Sequence, residues 1–222
     1  MTGVATPIDV RDMQVIHSVF RRDLRLAGAS IRRVPEGDRA QAQRVADGIA
    51  FVLQLLEHHH QGEDRLLWPL VAERVRQEDA ALVELMTEQH RAVDRDEKVA
   101  RQAMDTWRAD PTASNRDAAA DAFDTLYAGA AEHLDAEEQR LLPIVATTVT
   151  QEEWNRLGEE GMASIPKDQR GLIMGMFMYD GDPEVTAEMR RQAPPVVRQL
   201  IALTAPRTYA RWARQVHGTA RP

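Results

Sequence analysis

Apolar residues recur at steps of three and four along most of the first 145 positions, the spacing that keeps side chains on one face of an α-helix. Val10, Met13, Ile16, Phe20, Leu24 and Ala27 form one such line, with His17 on the same face. Val45, Ile49, Val52 and Leu56 form a second, which runs on through His59 or His60, Glu63, Leu67 and Leu70. Val83, Met86, His90, Val93, Glu97, Ala100, Met104 and Trp107 form a third, alternating like a heptad seam. Ala119, Phe123, Leu126, Ala130, His133, Glu137, Leu141 and Ile144 form a fourth. Val34-Pro35-Glu36-Gly37-Asp38 and Asp110-Pro111 break the pattern, the latter offering a cap and a first residue for the fourth helix. Residues 1–8 read as a tail, Asp9 as a cap for the first helix, and Pro69 as a kink or a restart. Four long helices with short connections predict an up-down-up-down bundle.

After Val145 the pattern shortens. Thr150-Gln151-Glu152-Glu153 is a capping box. Glycines and prolines from Gly158 to Pro195 then divide the chain into short helices. Leu172 to Tyr179 is apolar on every side and predicts a helix buried against the bundle. Met162, Met174, Met176 and Met178 read as adaptable packing, or as part of a lid. A last amphipathic helix carries Arg207 to Trp212 and ends near His217, which is expected to be exposed. The predicted fold is all-α: a four-helix bundle over residues 9–146, and a helical extension over 147–222 packed on it.

The polar residues on these apolar lines carry the chemistry. His58-His59-His60-Gln61-Gly62-Glu63 is echoed by His133-Leu134-Asp135-Ala136-Glu137. In each copy a His precedes a Glu by four residues and a Pro by ten. Positions i and i+4 share a helix face, so each copy aims an imidazole and a carboxylate the same way. His17 precedes His59 by 42 residues, and His90 precedes His133 by 43, so the chain reads as two similar halves. Two such halves bring four His and two Glu to the bundle centre. One His-x3-Glu pair alone would be an ordinary solvated face. Six polar groups on four core seams are different, because each costs roughly 2–7 kcal/mol if left without a partner. A metal site removes that cost, and helix bundles build such sites from facing helices.

Composition narrows the metal chemistry. The 222 residues contain no cysteine, so thiolate ligands, iron–sulfur clusters and disulfides are excluded. The net charge of −7 argues against nucleic acid as a partner. No signal-like N-terminus and no run of 18 apolar residues is seen, so no membrane partner and a cytoplasmic location are expected.

The set His17, His59-x3-Glu63, His90 and His133-x3-Glu137 resembles the hemerythrin-like, HHE cation-binding family over about residues 9–146. The resemblance implies a bundle around a non-haem di-iron centre holding two iron ions. Glu63 and Glu137 would bridge them, with His17 and His59 terminal on one and His90 and His133 terminal on the other. One departure stands out. Oxygen-carrying hemerythrins have two His four residues apart on the third helix, and here the position four after His90 is Asp94. The fifth His is missing unless His58 or His60 supplies it. Of those two, one is expected near the seam and the other in solvent. An open site favours chemistry over storage, so the expectation is a protein that reacts with dioxygen or peroxide, as an oxidase, oxygenase or peroxide consumer with or without a small-molecule substrate. A sensor or store for O2, NO or iron is the second reading, and a structural zinc site the third. Asp64 and Glu138 are expected to be surface acids. Glu97 is expected either to support a ligand or to pair with an Arg.

Overall fold

The computed structural model describes residues 7–191 and 193–222; most of the expected N-terminal tail, residues 1–6, lies outside them. Among the described residues the chain is helical, without strands. Four long helices dominate: α1 (Arg11–Arg32), α2 (Arg39–Gly62), α4 (Ala80–Ala109) and α5 (Ala113–Ala136). Each touches two of the others, α1 with α2 and α5, and α4 with α2 and α5, which makes a bundle. The first break works as expected; at the second, Asp110 ends α4 and Thr112, not Asp110, caps α5, which begins at Ala113 rather than Pro111. Asp38 accepts from the Gln41 N–H at the start of α2, and Thr112 accepts from the Asn115 N–H at the start of α5. Asp9 accepts from the Arg11 N–H at the entry to α1.

Neither the second nor the fourth helix runs straight through its His-x3-Glu motif. A π turn, Glu63–Leu67, follows α2, and a second, Glu137–Leu141, follows α5. The N–H of Trp68 reaches back five residues to the Glu63 carbonyl, and that of Leu142 to the Glu137 carbonyl. Short helices α3 (Trp68–Arg74) and α6 (Leu142–Thr148) then begin with Pro69 and Pro143 in their first turns. A proline lacks the N–H that a regular helix needs, and its ring collides with the carbonyl four residues earlier. The wide π turn relieves that collision, so Pro69 marks a restart rather than a kink.

Two apolar clusters fill the bundle. The larger includes Phe20, Leu24, Leu53, Leu56, Val93, Met104, Trp107, Phe123 and Leu126. The smaller includes Met13, Leu67, Trp68, Met86, Leu141, Val145 and Trp154. In α1 and α4 a candidate ligand sits between them: His17 between Met13 and Phe20, His90 between Met86 and Val93.

The remaining helices are α7 (Gln151–Ser164), α8 (Arg170–Asp180), α9 (Pro183–Arg191) and α10 (Pro195–Val216). The predicted capping box opens α7. Ile173 to Phe177 of α8 are buried, between α1 and α10, while Tyr179 at the end of that apolar stretch is exposed. His217 corrects the expectation of an exposed residue. Its side chain is buried, with Nε2 2.9 Å from Asp23 Oδ1 and Nδ1 2.8 Å from Ser30 Oγ, so it fastens the end of α10 to α1. Arg22 beside it is also buried, paired with Asp23 and Asp180 and lying over the rings of Tyr179 and Tyr209. No helix among the described residues is long and apolar enough to cross a membrane.

Candidate metal centre

The structure brings His17, His59, Glu63, His90, His133 and Glu137 together in the layer between the two apolar clusters. The imidazoles meet in pairs across neighbouring helices: His17 Nε2 is 3.1 Å from His59 Nε2, and His90 Nε2 is 3.1 Å from His133 Nε2. The carboxylates lie between the pairs. Glu63 Oε1 is 3.4 Å from His59 Nε2, and its Oε2 is 3.5 Å from His90 Nε2. Glu137 Oε2 is 3.4 Å from His17 Nε2 and 3.6 Å from His133 Nε2. Each carboxylate therefore reaches one imidazole of each pair.

His60 joins them, and His58 does not. The His60 ring is buried and stacks on His90 at a centroid distance of 4.1 Å, with His133 edge-on at 5.1 Å. Nitrogen atoms of His60, His90 and His133 converge as one potential cation site; His17, His59, Glu63 and Glu137 converge as another. His58 faces a surface groove beside Glu57 and Arg101. Asp94, the other candidate for an extra ligand, makes no hydrogen bond or ion pair with these residues. It lines a surface cavity of about 420 Å³ that reaches the outer side of His90 past Asp64 and Trp68. Glu97 pairs with Arg101 rather than with a ligand.

Asp64 and Glu138 stay outside the ligand cluster, Asp64 exposed as expected and Glu138 half-buried, but sequence reasoning missed what they hold. Asp64 Oδ1 lies 2.8 Å from His90 Nδ1, and Glu138 Oε1 lies 2.8 Å from His17 Nδ1. Each acid follows a central Glu and holds a His of the other half of the chain. A carboxylate on Nδ1 fixes the tautomer that leaves Nε2 free to face a metal. The Glu138 arm is extended by Arg21, which donates to Glu138 at 2.9 Å and to Asp135 at 2.6 Å. The signal was present as a repeat, an acid after the central Glu in both halves. It was unreadable from regular-helix geometry because a π turn begins at that Glu and alters the angle of the next residue.

The electrostatics are those of a dry site crowded with titratable groups. Burial pushes His59 down to about 4, against the pull of Glu63, and His133 down to about 3, aided by its neighbour His90. Burial opposes the charge on His90 too, but Asp64 and Glu63 outweigh it and hold His90 up at about 9. Burial likewise raises both central carboxyls, and they part because they repel. His59 and His90 hold Glu63 down at about 2, while burial and the Glu63 charge push Glu137 well above the usual carboxylate range.

The donor set fits a cation. Buried atoms of His60 (both ring nitrogens), Glu63 (both oxygens), His133 (Nδ1) and Glu137 (both oxygens) have no hydrogen-bond partner. Orphaned buried polar atoms are costly, and their convergence asks for a shared positive partner. Imidazole and carboxylate without thiolate suit a first-row divalent ion. Searches of curated proteins and of solved structures returned no match. The profile of the hemerythrin HHE cation binding domain matches residues 9–145, the stretch that contains all nine of the ligand candidates. The chain belongs to the hemerythrin HHE cation-binding domain family.

Proposed function

We propose that the chain holds two non-haem iron ions in an up-down-up-down four-helix bundle and uses them to bind and react with dioxygen or peroxide. His17 and His59 serve one ion, and His90 and His133 the other, with His60 completing the second set. Glu63 and Glu137, each within reach of an imidazole of both pairs, would serve both ions. The observation that carries this reading is the reach of both carboxylates to an imidazole in each pair.

Bound iron supplies accessible electrons and Lewis acidity toward dioxygen or peroxide. The chain does the rest. Glu138 and Asp64 hold His17 and His90 with Nε2 turned inward. The apolar clusters above and below keep bulk water from the layer. The buried carboxylates balance part of the charge of two cations.

A second reading, reversible binding as a sensor or store of O2, NO or iron, is favoured by His60. It provides the fifth imidazole that Asp94 does not, and so weakens the case for an open site. One experiment separates the two. The protein is loaded anaerobically with Fe(II), its metal is counted, and its optical spectrum is followed after O2 is added and then removed. Two ions per chain and lasting oxidation with peroxide consumed support turnover. A spectral change that reverses on degassing supports the second reading. One zinc per chain, or no metal uptake, overturns both.

A further inference from the structure

Helix α10 has two halves. Ala205, Tyr209, Ala213 and Val216 are buried against α8 and α2, while no residue from Pro195 to Thr204 is buried. On the side opposite the buried line stand Val196, Leu200 and Leu203, which are 80%, 58% and 63% exposed. Steps of four and three keep them on one face. The same line continues through Arg207, Arg211 and Arg214, all exposed and without a carboxylate partner among the described residues. One helix face thus carries an aliphatic half and a cationic half.

The charge of the whole chain sharpens this. Met189 to Pro222 contains seven Arg and no Asp, Glu or Lys. The other 188 residues hold all 35 acids and 21 of the 28 basic residues, a net charge of −14. The molecule is an acidic body with a basic, partly aliphatic end.

We propose that this face of α10 docks on an anionic bilayer surface. Val196, Leu200 and Leu203 enter the boundary between headgroups and acyl chains, and Arg207, Arg211 and Arg214 meet lipid phosphates. The acidic body is repelled by the same surface, so only the α10 end can approach. A second copy is a poorer occupant. A stable protein interface takes about 800 Å² and some 20–30 residues from each partner, far more than this line offers. The aliphatic half offers only Val and Leu, which are under-represented among protein hot spots, whereas Leu beside Arg is common on membrane-surface helices. The absence of a spanning segment, on which the expectation of no membrane partner rested, does not bear on surface binding. The proposal is independent of the metal centre.

The test is co-sedimentation of the full chain with vesicles of phosphatidylcholine alone and of equal parts phosphatidylcholine and phosphatidylglycerol. We expect binding to the anionic vesicles, lost with added salt, and little to the neutral ones. Arg207→Gln/Arg211→Gln/Arg214→Gln should weaken it roughly a hundredfold, and Leu200→Gln/Leu203→Gln at least about tenfold. All five side chains are exposed, so both variants should keep the wild-type circular dichroism and melting temperature. The proposal is overturned if anionic vesicles leave the protein in the supernatant, or if neither variant changes binding. It is also overturned if the leucine variant abolishes a concentration-dependent dimer, seen by sedimentation equilibrium, in a chain that ignores vesicles.

Discussion

His90 and Glu137 carry the protons that a cation must displace. His90 is held up at about 9 by Asp64 and Glu63 against its burial, and Glu137 is pushed well above the carboxylate range by burial and the Glu63 charge. At pH 7 His90 therefore keeps its proton, Glu137 holds one to higher pH than an ordinary carboxyl, and neither group binds a metal while protonated. Metal uptake should therefore release protons, and affinity should rise as pH is raised toward the His90 value. Calorimetric titration with Zn(II) or Co(II) in two buffers of different ionisation heat measures this directly; a heat that does not depend on the buffer would contradict it. Asp64→Asn and Glu138→Gln should each lower metal affinity by roughly 10–100-fold without unfolding the protein, because they loosen His90 and His17 rather than remove them. Competition with a chelator reads that change, and unchanged affinity in both would mean the hydrogen bonds do not position the rings. The six central residues were legible in the sequence because they lie on core seams and recur at matched spacings. His60 was one of two alternatives on the second line, which spacing alone could not separate from its neighbours, and Asp64 and Glu138 lie off the lines. Their roles come from the π turns and from packing between helices, which periodicity does not encode.

At the scale of elements, the four long helices followed from apolar spacing and from breaks such as the one that ends at Asp38, whereas the cap of α5 is Thr112 and not Asp110. The π turns did not, since a proline after a leucine pair fits a kink as well as a restart. The packing of α8 on α10 depends on Gly175. A Cβ there would lie 2.3 Å from the Ala205 carbonyl oxygen and 2.8 Å from Tyr209 Cβ. Backbone cannot give way as a side-chain tip can, so Gly175→Ala should destabilise the protein by about 1–3 kcal/mol. Gly158, also within a helix, has nothing within 4 Å of its missing Cβ. Gly158→Ala should stabilise by about 0.5–1 kcal/mol through helix propensity alone. Chemical denaturation of the two variants checks both signs, and a neutral Gly175→Ala would show that α8 and α10 have room to separate.

For the whole molecule, the sequence indicated that residues 172–179 would be buried, but not how the extension is fastened. The fastening is polar: Arg22 and Asp23 of α1 meet Asp180, the Tyr209 ring and His217, groups 158 to 194 residues away. Such pairings have no local periodic signature, and His217 near the chain end read as a solvated residue for that reason. His217→Ala would leave Ser30 without this partner and Asp23 with Arg22 alone, at a cost of about 1–3 kcal/mol. Ending the chain after Val145 should yield an aggregating protein, since α1 would lose its α8 cover; a soluble, metal-loaded truncation would show that the bundle is self-sufficient. The central claim concerns two ions bridged by two carboxylates. Anomalous diffraction at the iron edge, from crystals of the Fe(II)-loaded chain, tests it most directly. The expected map has two peaks per chain, one beside His17 and His59, the other beside His60, His90 and His133, with Glu63 and Glu137 reaching both. A single peak, or two peaks that share neither carboxylate, would contradict it.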